Sequence, residues 1–84
     1  MKVKINDQDW IIKKRKLKNF WGWCEHPDTE NRKIVLDKTM SGQEELEFTI
    51  HEVIHASCWF LPERIVAKTS KDIAIILWEM GFRK

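Results

Sequence analysis

Two cysteines, no tyrosine and no long apolar run are the first constraints on this 84-residue chain. Cys24 and Cys58 are too few and too widely spaced to form a disulfide framework, which predicts a reduced protein. No basic-then-apolar leader and no stretch of membrane-spanning length is present, so a cytoplasmic protein without membrane contact is expected. The lack of tyrosine removes the phenol as a partner for a charged oxygen. No internal repeat or low-complexity segment is present, and the length leaves room for one domain, residues 1–84.

What the chain does have is bulk and charge. A domain this small buries only about 60 to 65% of the surface its unfolded chain exposes, so its core needs large pieces or a bound metal. Five tryptophans and four phenylalanines supply the large pieces, each burying on the order of 150 to 250 Å². The net charge of +2 hides an asymmetry: residues 1–20 carry seven Lys/Arg against two Asp, and the remainder carries eight against eleven acids.

Short β-like runs fill the first third. Lys2-Val3-Lys4-Ile5 alternates polar and apolar, Asn6 to Asp9 is turn-forming, and Trp10-Ile11-Ile12-Lys13 returns as a second strand. Phe20 to Cys24 is aromatic and extended, His26 to Asn31 is a polar loop, and Lys33 to Asp37 is a further strand. A small antiparallel sheet is the expectation, followed by two helices in an α+β fold. Ser41 with Glu44 three residues later has the spacing of a capping box, which predicts a helix over about 42–60. Its inward stripe would be Leu46, Ile50, Val53, Ile54 and Ser57. Pro62 suits the first turn of a second helix, with Ile65, Val66, Thr69, Ile73, Ile76, Leu77 and Met80 as its apolar stripe and Gly81 as its stop.

Within the first of these helices lies His51-Glu52-Val53-Ile54-His55. Positions i and i+4 of a helix share a face, so both imidazoles can meet one tetrahedral ion with Glu52 beside it. The pattern predicts a Zn2+ site and hydrolysis of a peptide or protein substrate, with Glu52 as general base. Two acids compete for the third ligand position. Glu63, just beyond the Leu61-Pro62 turn, is preferred; Asp72, farther along the second helix, is the alternative ligand or a carboxylate that receives an imidazole N–H. With no tyrosine, a developing oxyanion would be met by His26, Arg64 or a backbone N–H.

Plainer readings stand beside these. The histidines can be ordinary surface residues, Glu52 a solvated helix residue, and Glu63 an acid held by the helix dipole. Cys58 reads as a small buried side chain. Cys24 and His26 could join His51 and His55 in a closed, structural zinc shell. The basic run from Lys13 to Lys18, near Trp10, Trp21 and Trp23, could contact nucleic acid, or could simply be a solvated edge. A non-catalytic, zinc-stabilised module that binds nucleic acid or protein through this half is therefore the alternative to an enzyme. Oligomeric state is left open.

From Gly22 to the C-terminus the chain also resembles a family. Gly22-Trp23-Cys24-Glu25-His26-Pro27, Glu45-Leu46, His51-Glu52-Val53-Ile54-His55-Ala56, Leu61-Pro62-Glu63-Arg64-Ile65-Val66, Asp72-Ile73-Ala74 and Leu77 to Arg83 are similar to segments of small phage-encoded zinc metallopeptidases of the minigluzincin type. The resemblance implies a short antiparallel sheet, an active-site helix and a following helix that brings a glutamate. By position it implies His51, His55 and Glu63 as metal ligands and Glu52 as base, in a protein acting in the host-cell cytoplasm.

Overall fold

Asn6 and Asp7 both adopt positive φ, 51° and 62°, the backbone that a two-residue type I′ hairpin turn requires and that short polar side chains tolerate. The computed structural model describes residues 1–83. The turn joins β1 (Lys2–Ile5) to β2 (Gln8–Arg15), so the second strand starts two residues earlier than the expected turn allowed. β3 (Gly22–Cys24), β4 (Lys33–Asp37), α1 (Gly42–Ser57) and α2 (Glu63–Glu79) follow, completing the α+β fold.

The sheet order is β1-β2-β4-β3. Both outer pairs are antiparallel, as expected, but β2 and β4 run parallel. The chain reverses once between β2 and β3 and again between β3 and β4, which restores its direction. β4 then takes an inner position because it is the most apolar strand: Ile34, Val35 and Leu36 are all buried.

Register assigns every strand residue to a face. Val3, Ile5, Trp10, Ile12, Cys24, Ile34 and Leu36 face the helices and build the core with Met40, Phe48, Val53 and Ala56. Trp10, 1% exposed, is its largest piece, worth roughly 4 to 6 kcal/mol of apolar burial. Its indole N–H has no hydrogen-bond partner among the described residues, which offsets about 1 to 3 kcal/mol of that gain. No element covers the opposite sheet face, where Lys2, Lys4, Ile11, Lys13, Arg15 and Lys33 sit in register.

α1 begins where expected but by another device. Ser41 makes no side-chain capping bond, because Gly42 has φ +62° and the capping box needs helical backbone at that position. The ring of Trp78 lies against Gly42. The helix ends at Ser57, not near 60, as Cys58 N–H closes on Ile54 O and the Asn6 amide donates to Ser57 O at 2.8 Å. The hairpin turn thus satisfies a carbonyl that the helix end would otherwise leave open.

α2 packs on α1, and its backbone stays more than 8 Å, Cα to Cα, from the strands. Its buried seam is Val66, Ser70 and Ala74, small residues at i, i+4 and i+8 that allow close helix approach. Of the expected inward stripe, Val66 is buried and Leu77 partly buried, whereas Ile65, Thr69, Ile73, Ile76 and Met80 are exposed. A helix with one neighbour buries one narrow line, not a broad face. Among the described residues no helix is long and apolar enough to cross a membrane.

Candidate metal centre

Helical spacing alone puts His51 and His55 on one face of α1, with ring centroids 4.9 Å apart. The third member comes from the chain reversal after α1. Leu61 N–H bonds Cys58 O, Pro62 supplies the first carbonyl of α2, and Glu63 opens that helix beside the last turns of α1. Its two carboxylate oxygens each meet one imidazole, at 2.9 Å from His51 Nε2 and 2.8 Å from His55 Nε2.

One ligand atom from each of these residues lies within 4.8 Å of the others, so the three could hold a metal ion. Ligands about 2.1 Å from a tetrahedral ion stand roughly 3.4 Å apart, and only small side-chain movements separate the observed arrangement from that one. Two imidazole nitrogens and one carboxylate oxygen form a donor set that leaves a fourth position open. The histidine side chains are 12% and 20% exposed and the glutamate 66%, so the group faces solvent on the α2 side.

Glu52 is 6% exposed and so is not a solvated helix residue. It lies beside β3, where an added Cβ at Gly22 would stand 3.4 Å from Glu52 Cγ and 2.8 Å from Val35 O. The clash with the Val35 carbonyl is what demands glycine here, and Glu52 packs at ordinary contact distance beside it. Burial, then the nearby Glu63 charge, pushes the Glu52 carboxyl up to about 7.

This shift carries a stability consequence for the metal-free protein. Between about pH 4.5 and 7 the native carboxyl holds a proton that the unfolded chain has released, so the native state binds more protons and stability falls as pH rises. The expected loss is about 2 kcal/mol after allowing for water that reaches the group from the open pocket. Chemical denaturation of EDTA-treated protein from pH 4.5 to 8 checks this, with Glu52→Gln expected to remove that part of the slope. Asp37 acts in a lower window and with opposite sign. The hydrogen bond from Thr39 holds its carboxyl below the usual range, so its stabilisation is lost only as pH falls below about 4.

The other candidates are not drawn into the group. Asp72 ion-pairs with Lys68 at 2.7 Å and lies nine residues beyond Glu63, about 13 Å along the helix; neither histidine donates to it among the described hydrogen bonds. His26 accepts a hydrogen bond from Asp28 N–H through Nδ1, and its ring meets Trp59 edge-on at 4.6 Å. Trp59 in turn stands 6.1 Å from His55, so an indole separates the two imidazoles. Arg64 is exposed and lines no part of the pocket over the site. Cys24 does line that pocket, but its thiol donates to Glu25 O, and burial with the neighbouring Glu52 and Glu25 charges pushes it up to about 12. Neither Cys24 nor Cys58 belongs to the metal-capable group.

That pocket, about 620 Å³, opens over His51, Glu52, His55 and Glu63. Its aromatic walls were not foreseen. Trp21 stacks on Phe48 at 5.4 Å, Phe48 stands 6.0 Å from His51, and Trp59 closes the other side. Part of this was readable: Phe48, His51, His55 and Trp59 recur at spacings of three, four and four, which is one helical stripe continued past the helix end. No protein-family model, curated protein or solved structure matches the chain.

Proposed function

We propose that this protein is a zinc-dependent peptidase whose ion is held by His51, His55 and Glu63. The observation that carries this reading is the meeting of both Nε2 atoms on one carboxylate, next to a buried acid and under an open pocket. The zincin resemblance of the motif residues agrees with it. Bound zinc would polarise a substrate carbonyl and lower the pKa of a water toward about 7.

The chain's own groups then have distinct work. Glu52, held off the ligand set but lining the same pocket, accepts the proton of the attacking water on a carboxylate oxygen and delivers it to the departing amine. β3 is an edge strand, so one side of it has no strand neighbour. Asp37 N–H bonds Trp21 O and Glu25 N–H bonds Lys33 O. Alternation therefore turns the N–H and C=O groups of Gly22 and Cys24 outward, where an extended peptide can add as a further strand. Trp21, Phe48 and Trp59 would receive an apolar side chain of that peptide and keep bulk water from the reacting carbonyl.

A direct test is to load the protein with one equivalent of zinc and incubate it with a library of unstructured peptides, reading products by mass spectrometry. Cleavage that EDTA stops and zinc restores is expected, concentrated at bonds flanked by large apolar residues. Absence of products from the stoichiometrically loaded protein would overturn the enzymatic reading.

A further inference from the structure

The sheet face turned away from the helices has a chemistry that the metal site does not use. Cross-strand register places Lys2 opposite Ile11, Ile11 opposite Lys33, and Lys13 opposite Val35, with Trp23 on the far side of Val35. Residues opposite one another share a face, so Lys2, Lys13, Arg15, Lys33 and Trp23 all project from this surface. Its two acids on the strands are both engaged: Asp9 pairs with Lys4, and Asp37 is hydrogen-bonded to Thr39 and to Leu17 N–H. Lys2, Lys13, Arg15 and Lys33 form no ion pair among the described residues. Five cations (Lys2, Lys4, Lys13, Arg15 and Lys33) thus share the face with two carboxylates (Asp9 and Asp37), which leaves it net positive around one indole.

The tryptophans named in the basic-aromatic reading separate on folding. Trp10 is buried in the core, Trp21 lines the metal pocket, and Trp23 alone stays with the cations, with Lys33 Nζ 5.7 Å from its ring centre. Lys14 also leaves the set, because its side chain points to the helix side and pairs with Glu45. Lys2, Lys13 and Lys33 border a depression of about 540 Å³ together with Ile11, Arg32 and the acids Asp9 and Glu30, while Arg15 and Trp23 lie outside it.

We propose that this open face binds single-stranded nucleic acid, its phosphates on Lys2, Lys13, Arg15 and Lys33 and a base on Trp23. Successive same-face residues of a strand lie about 6.6 Å apart, comparable with the phosphate step of an extended single strand. Trp23 is half-buried with the Lys33 ammonium over its ring, and a base stacking on that indole would send the ammonium to a phosphate; stacking of this kind takes any base, whereas an acidic side chain has no ring to place there. A duplex would present its bases already stacked and leave Trp23 without a role. The surface is on the far side of the sheet from His51, His55 and Glu63, so the proposal does not depend on the metal or on hydrolysis.

Fluorescence anisotropy of a labelled 15-nucleotide oligothymidylate with the full chain tests it. Saturable binding is expected, with a slope of log K against log salt of about −3, as for four neutralised phosphates. Replacing both Lys13 and Arg15 by Gln should roughly halve that slope and weaken binding at least tenfold at low salt. Trp23→Leu keeps an apolar cover over Val35, and should weaken binding about fivefold or more without changing the slope. A Lys68→Gln/Lys71→Gln double variant removes two charges from α2 and should bind within twofold of the parent. The proposal is overturned by no salt-dependent binding at about 50 mM NaCl, by undiminished binding in the Lys13/Arg15 variant, or by tighter binding of a duplex or of poly-glutamate.

Discussion

Glu52→Gln is expected to lower peptide hydrolysis by about 10² to 10⁴-fold while leaving zinc content at one ion per chain. The amide has the shape of the carboxyl but cannot take up the proton of the attacking water. It also leaves His51, His55 and Glu63 untouched, so metal affinity should not fall. Folding should improve: at pH 8 the wild-type carboxylate is ionised inside the protein, and a neutral amide removes about 2 kcal/mol of that cost in the metal-free state. Loss of activity accompanied by a gain in stability is a signature that general misfolding does not produce. Turnover, metal analysis and thermal melts on the same preparation give the answer, and turnover within tenfold of wild type would take Glu52 out of the mechanism.

Saturating zinc should raise the melting temperature by about 15 to 30 °C, and His51→Ala or His55→Ala should abolish the rise. An ion present at 1,000 times its dissociation constant adds about 4 kcal/mol, and in a domain of this size each kcal/mol moves the midpoint by about 4 to 8 °C. The effect is large because the core is small. Val66, Ser70 and Ala74 make a thin seam between α1 and α2, and a metal shared by His51, His55 and Glu63 would clamp the same two helices together. Asp72→Ala should keep the full rise, since Asp72 is engaged with Lys68 far along α2. Calorimetry with zinc and with EDTA checks both statements. Equal midpoints under the two conditions, or a rise lost in the Asp72 variant and kept in the His51 variant, would refute this ligand assignment.

Local spacing and long-range packing divide what could be read in advance. A helix of 3.6 residues per turn puts His51 and His55 on one face wherever that helix lies. Strand alternation likewise sets the polar and apolar sides of Lys2 to Ile5 before any partner is known. The hairpin, the two helices and the imidazole pair were legible for that reason. The place of Glu63 just past the Leu61-Pro62 turn favours it over Asp72, but its meeting with both imidazoles depends on how the Cys58–Leu61 turn reverses the chain and on which part of α2 comes to rest beside α1. The same holds for Trp10, Trp21 and Trp23, which are alike as residues and part company only through their places in the sheet. So does the exposure of Ile65, Ile73 and Ile76, apolar at helical spacing but set on a helix with a single neighbour.

By itself, then, the order of residues determined the α+β elements and the two convergent imidazoles, since both follow from contacts within a few positions. The order of residues favoured Glu63 as their partner, and tertiary structure brought its carboxylate to both; tertiary structure alone decided the burial of Glu52, the aromatic walls and the basic open face. Those features join segments far apart in the chain, and packing of the whole core, not backbone geometry, fixes their distances.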